Sequence, residues 1–193
     1  MFELSDLCKF NEPRQLLEFS DKFFSSVGGG TSRGVYSINS KYVIKVARSE
    51  YGIWQNESEI RATHSESNNG LILPLHRYDI NKALWVVQRK AQPIGENNLK
   101  LFDTIYGLSF QDVCNQICNI QSGKELDAKY ADNHFVKLLN DFISKQETRF
   151  FHDLKKMDSY GFLDEKIYLI DYGMDNETFE LYLHGKGGNM CGH

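Results

Sequence analysis

The chain has 193 residues, 41% hydrophobic and 25% charged, so it falls within the range of an ordinary folded domain and is long enough to bury a sizeable core. Its 22 Lys and Arg against 26 Asp and Glu give a formal charge of −4, which argues against a surface built for nucleic acid. No apolar run approaches the ~18–20 residues of a membrane span, and the opening MFELSDLCKFNEPRQ is too polar for a signal peptide. The expectation is a cytoplasmic protein that uses neither membrane nor nucleic acid.

In chain order, LLEF within Arg14–Lys22 predicts a short helix, and Phe23–Val27 a short strand. Gly28-Gly29-Gly30-Thr31-Ser32-Arg33-Gly34 has four glycines in seven residues, a permissive and exposed backbone. Val35–Ile38 and Lys41–Ala47 then predict two strands of an antiparallel meander that bends at the glycine loop. The pattern over Trp54–Glu66 predicts a helix, with Ile53, Asn56, Glu57, Ile60 and His64 roughly on one face, Arg61 beside them, and Asn68-Asn69-Gly70 as its stop. Leu71–Tyr78 and Ala83–Gln88 predict two further strands. Ala91–Gly95 breaks the pattern and divides the chain into residues 1–92 and 93–193, two lobes of one domain. Beyond it, Leu99–Ile120 and Asn133–Gln146 predict helices, and Phe150-Phe151 and Ile167–Ile170 short strands. Five strands with one helix, then a mostly helical part, is an α+β order. The four cysteines form no CxxC pair and are expected to be reduced, buried thiols.

Four features carry chemistry. The glycine loop exposes backbone N–H groups that can approach phosphate oxygens. Lys45 sits inside the apolar strand VIKVA, where alternation puts it on one face with Val43 and Ala47. A lysine there is either an edge residue reaching water or a buried cation with a partner. Glu57 is the expected partner, because it shares the apolar helix stripe, with Glu59 in reserve. Asp153 in FHDLK can accept a proton from an incoming hydroxyl, Lys155 can steady a transferred phosphoryl group, and Asp158 follows five residues after Asp153. Asp171, delivered by the strand IYLI and followed by Tyr172-Gly173, is an oxygen ligand of the kind Mg²⁺ takes. Each feature also has a structural reading: a bare hairpin, a snorkelling lysine, a solvated helix carboxylate, a cap or turn aspartate.

Their order resembles the protein-kinase-like superfamily, with GGGTSRGVY for the Gly-rich loop, VIKVA for V-A-I-K, QNESEI for the helix glutamate, HDLKKMDSYG for the catalytic loop and LIDYG for D-F-G. The similarity runs from Phe23 to Gly173, roughly three quarters of the chain, and its wording is similar to small kinase-like proteins of bacteriophage. The resemblance implies a minimal bilobal kinase-like fold, a five-stranded antiparallel N-lobe with one helix and a truncated helical C-lobe. It implies an ATP-dependent phosphotransferase using Mg²⁺ or Mn²⁺. Gly28, Gly30, Thr31, Ser32, Arg33, Lys45, Glu57, Gln88 and Lys90 would then meet the nucleotide, with the hinge at Gln88–Gln92. Asp153 and Lys155 would be catalytic, and Asp171 and Asp158 would hold the metal. The departures are Phe151 and His152 for the His and Arg of H-R-D, Asp158 for an asparagine, and Tyr172 for Phe. Only 20 residues follow Gly173, so no A-P-E segment or large substrate-binding subdomain is expected. That leaves two alternatives to phosphotransfer: an inactive kinase-like module docking on another protein, such as a host protein, and nucleotidyl transfer.

Overall fold

A computed structural model describes residues 4–65, 70–145, 153–173 and 180. The chain divides into two compact units, Met1–Arg61 with Pro74–Lys90, and Ala62–Leu73 with Ala91–His193. The break after Lys90 lies at the start of the stretch where the sequence changes character. The assignment of residues 62–73 to the second unit is not visible in a linear reading.

The first unit holds a five-stranded antiparallel sheet, β1 (Ser25–Gly29), β2 (Arg33–Ser37), β3 (Tyr42–Ala47), β4 (Leu75–Tyr78) and β5 (Trp85–Arg89), in the order β1-β2-β3-β5-β4. Alternation sorts its residues to two faces. Tyr36, Ile44, Val46, Trp85 and Val87 form one apolar core with Leu7 and Leu16. Leu16 comes from α1 (Pro13–Phe23), which has Pro at its first turn, and Leu7 from a 3-10 turn before it. The same side fixes Tyr36, whose hydroxyl donates to Asp21 at 2.7 Å. Burial, then that hydrogen bond, pushes the Tyr36 phenol up to about 12. A phenol raised above its unfolded value of about 10 stabilises the fold below pH 10 and loses that contribution as pH rises toward 12. Tyr36→Phe is therefore expected to remove about 2 kcal/mol of alkaline destabilisation over that window, read from urea midpoints at pH 9 and pH 12.

The opposite face carries Arg33, Val35, Lys45 and Ala47 and meets α2 (Glu50–His64). Gly52 permits this approach: a Cβ there would stand 2.2 Å from the Ser32 carbonyl oxygen and 3.0 Å from the Ala47 Cα. Alanine would gain up to about 1 kcal/mol of helix propensity. The Ser32 carbonyl is backbone and already accepts the Arg48 N–H at 2.7 Å, so it cannot yield cheaply. Gly52→Ala is expected to be net destabilising by about 1–3 kcal/mol, measured by denaturant melts.

The second unit contains α3 (Lys100–Tyr106), α4 (Phe110–Gln121), α5 (His134–Lys145) and a three-stranded antiparallel sheet, β6 (Gln92–Pro93), β7 (Tyr160–Leu163) and β8 (Lys166–Leu169), in that order. The expectation of one helix over Leu99–Ile120 is corrected: Gly107, at φ 67°, ends α3, and Ser109 caps α4 by accepting the Asp112 N–H. The strand expected at Ile167–Ile170 is present as β8, and the second part, expected to be mostly helical, also holds β6 and β7. Leu71–Leu73, read as part of a strand through Tyr78, instead bonds to β8: Leu169 N donates to Leu71 O and Leu73 N to Leu169 O. The core gathers Phe102, Phe135 and Tyr160, each ring of Phe102 with the others edge-on at 5.5 Å.

Cys8 and Cys118 are exposed free thiols, which corrects the expectation that the cysteines are buried; Cys114 is half-buried. Among the described residues no helix is long and apolar enough to cross a membrane. Phe150-Phe151, His152, Cys191 and the glycine-rich tail lie outside the described residues.

Candidate functional site

In the first unit the chemistry centres on Lys45. Strand alternation turns it to the α2 face, where it is 5% exposed and its ammonium donates to both oxygens of Glu59, at 2.8 and 2.9 Å. Glu59 is completely buried; Glu57, the expected partner, is exposed. The correction has a simple cause. The stripe of α2 that faces the sheet is Gly52, Asn56 and Glu59, spaced by four and three, and none of these is apolar. An apolar-stripe argument therefore selects the wrong side of the helix.

Glu59 has a second cation. Arg33 Nη1 donates to Glu59 Oε1 at 2.9 Å and to Asn56 Oδ1 at 3.3 Å, and the Asn56 amide donates in turn to the Ala83 carbonyl at 2.7 Å. Arg33 is thus not a loop residue. It opens β2, is 6% exposed, and its side chain is committed to the helix.

The glycine loop is the exposed β1–β2 hairpin, closed by Gly30 N–H donating to the Arg33 carbonyl at 3.0 Å. Gly29 is required by the backbone, with φ 139° and a would-be Cβ 2.7 Å from the Arg33 carbonyl. Gly28 and Gly30 are not: a Cβ on either would meet nothing within 4 Å, and neither has a positive φ. Their side-chain space opens to solvent, as does Thr31, while Ser32 is half-buried.

Gln88 and Lys90, which the resemblance would place at a hinge, are held by the sheet. Gln88 is 2% exposed and paired in register with Val43 and with Leu75 on its two sides. The Lys90 N–H donates to the Lys41 carbonyl, and its ammonium to the Ser37 hydroxyl at 3.0 Å. These groups serve the sheet.

In the second unit, Asp153 begins a 3-10 turn, Asp153–Lys155. The turn is anchored by buried Leu154, whose carbonyl accepts the hydroxyl of the fully buried Tyr160 at 2.7 Å. Burial raises the Tyr160 phenol far above its ordinary range, so it stays a donor. The cation beside Asp153 is Lys156, not Lys155: Lys156 Nζ lies 2.5 Å from Asp153 Oδ1. The turn brings position i+3 back over position i, a spacing readable in DLKK. Lys155 points elsewhere, with its ammonium 4.0 Å from Cys118 Sγ.

Asp171 follows β8. Tyr160 pairs with Leu169, and the Ser159 carbonyl accepts both the Ile170 and Asp171 N–H groups, at 2.8 and 3.2 Å. Asp158 lies in the 3-10 turn Met157–Ser159 that leads into β7. Asp158 and Asp171 are both exposed. The hydrogen bond to Asp153 raises the pKa of Lys156; desolvation opposes it, and the charges of Asp153, Asp158 and Asp171 add to it. Of the three sequence-selected carboxylates, Asp153 is bonded to the Lys156 ammonium, and Asp158 and Asp171 act on it through their charge. Tyr172 is buried, donating to the Leu73 carbonyl at 2.9 Å with Thr63 Oγ1 at 3.4 Å, which fixes the segment after Asp171.

No family model, curated protein or solved structure matches the chain. Function therefore rests on these two groups of residues.

Among the described residues no cluster of three or more His, Cys, Asp or Glu side chains is arranged to hold a metal. Asp158 and Asp171 are exposed carboxylates, and each offers hard oxygen donors. That fits Mg²⁺, which takes one or two carboxylates and completes its shell with phosphates and water.

Proposed function

We propose that the chain is an ATP-dependent phosphotransferase with a minimal bilobal protein-kinase-like fold. The observation that carries this reading is the buried Lys45–Glu59 pair on the strand-to-helix face next to an exposed glycine hairpin. Phosphate binding needs a cation fixed in place and backbone N–H groups that nothing shields. Lys45 supplies the first. For the second, the open space over Gly28 and Gly30 gives a phosphate access to the backbone at the hairpin tip, where the Gly30 N–H itself is committed to the Arg33 carbonyl. Under this reading the sheet and α2 form the small lobe, and the helical unit with its β7–β8 hairpin forms the reduced large lobe. Asp171 and Asp158 hold Mg²⁺ or Mn²⁺, which when bound with the phosphates would neutralise their charge. Asp153, presented by its anchored turn, orients the acceptor hydroxyl. Positioning and charge stabilisation do most of the catalysis.

One observation favours a second reading, a catalytically weak module that docks on another protein. Asp153 Oδ1 is already engaged by the Lys156 ammonium, which occupies a lone pair that a base would use. Incubation with ATP labelled at the γ or at the α phosphate, with Mg²⁺ or Mn²⁺ and with the protein and a panel of proteins as acceptors, separates the readings. Transfer of γ label is the expected result. Transfer of α label means nucleotidyl transfer on the same residues, and no transfer of either label favours the docking module.

A further inference from the structure

We propose that Arg33 is a positioning residue that locks the glycine hairpin to the Lys45–Glu59 pair, so that hairpin and pair are set as one piece in the free protein. Its consequence for phosphates rests on the nucleotide reading above; the coupling itself does not.

Arg33 acts at two levels at once. Its carbonyl closes the hairpin by accepting the Gly30 N–H at 3.0 Å, while its guanidinium reaches Glu59 and Asn56 on α2. The residue that shapes the turn is therefore also bonded to the carboxylate that holds Lys45. The acceptors are themselves fixed. Asn56 has its amide N–H₂ engaged by the Ala83 carbonyl, which orients its oxygen toward Arg33. Glu59 Oε1 is shared by Arg33 and Lys45, and Oε2 also accepts from Lys45. All of these side chains are at least nine-tenths buried, so water competes little for their bonds. A single guanidinium nitrogen serves two acceptors here. A lysine ammonium on a differently jointed stem does not reproduce that fixed geometry.

A purely stabilising role does not account for the arrangement. A buried ion pair recovers its desolvation cost poorly, and an apolar side chain of similar volume is often as stable. What an apolar residue cannot do is transmit position from β2 to Glu59. With Arg33 present, the carboxylate is held from two sides and Lys45 shares it. Without Arg33, Glu59 loses one of the two cations that hold it, and the hairpin base keeps backbone contacts such as Arg48 N–H to the Ser32 carbonyl.

The test compares Arg33→Met and Arg33→Lys with the intact chain. Amide hydrogen exchange in the ligand-free protein is read first. Arg33→Met is expected to speed exchange at the Gly30 and Arg48 amides by about tenfold or more, with the β7–β8 amides unchanged and Arg33→Lys intermediate. Nucleotide affinity is read second, with Mg-ATP and with adenosine as probes. Mg-ATP is expected to weaken about tenfold in Arg33→Met and to be partly restored in Arg33→Lys, while adenosine binding stays the same. If Arg33→Met does not fold, Arg33→Lys carries the same comparison. Exchange at Gly30 and Arg48 equal to wild type overturns the proposal, as does loss of protection in both units alike. A wild-type chain that binds no Mg-ATP removes the nucleotide reading, and the exchange measurement still decides Arg33.

Discussion

Glu59→Gln is expected to lower stability by about 3–5 kcal/mol and to abolish measurable Mg-ATP binding, whereas Glu57→Gln leaves both near wild type. Glu59 is the completely buried carboxylate shared by Lys45 and Arg33, and the amide keeps its size but not its charge. Removing the counter-charge from buried cations is among the costliest single changes a protein suffers. Glu57 is exposed, and a neutral substitution there falls within about 0.5 kcal/mol. For a chain of this length the Glu59 effect corresponds to a thermal midpoint lowered by roughly 10 °C. Calorimetric scans of the two variants beside wild type check it, and equal midpoints for Glu57→Gln and Glu59→Gln would contradict the pairing.

The second large effect separates binding from chemistry. Asp153→Asn is expected to leave Mg-ATP affinity within about twofold of wild type and to cut γ-label transfer by about a hundredfold to ten-thousandfold. The carboxylate is assigned to the acceptor, so it contributes little to ground-state nucleotide binding. Asp171→Asn is expected to weaken Mg-ATP by about tenfold and to lower transfer as well, because it removes a charged metal ligand. Both side chains keep their size, and Asp171 is exposed and Asp153 half-buried, so neither change should threaten the fold. The Asp153 variant has a further signature. Its loss frees Lys156 from its partner at 2.5 Å, and the Lys156 pKa, raised first by that bond, should fall. Side-by-side affinity and transfer measurements check the pair of variants. Undiminished transfer by Asp153→Asn would remove its catalytic assignment.

The strands were legible where alternation was strong. KYVIKVA gives β3 almost residue for residue, and the side on which Lys45 lies follows from period two. The phase of α2 was not legible, because its inward stripe of Gly52, Asn56 and Glu59 is held by hydrogen bonds and close approach rather than by apolar burial. The same cause hid the role of Arg33, which sits in a glycine-rich run that reads as loop. The break at Gly107-Leu108-Ser109 carried a signal, a glycine stop followed by a serine cap with Asp112 three residues on, but the apolar pattern continues across it. The small sheet was harder. β6 has two residues, and β7, Tyr-Gly-Phe-Leu, has no alternation; its pairing is set by the turn at Asp164-Glu165, both at positive φ. Asp153, Asp158 and Asp171 were legible as residues but not in their relation to Lys156, which depends on the two 3-10 turns before β7 and on the Ser159 carbonyl that accepts the Asp171 N–H.

The central claim is that Lys45 and the glycine hairpin bind the phosphates of a metal–nucleotide complex. The most direct test is titration calorimetry of the wild-type chain with Mg-ATP, repeated with EDTA and with Lys45→Met. Lys45→Met keeps the stem that packs against the sheet and removes the ammonium. The account predicts saturable, metal-dependent binding to wild type and a loss of about tenfold or more in Lys45→Met. Binding that is the same with and without Lys45, or none by wild type at millimolar Mg-ATP, would contradict it.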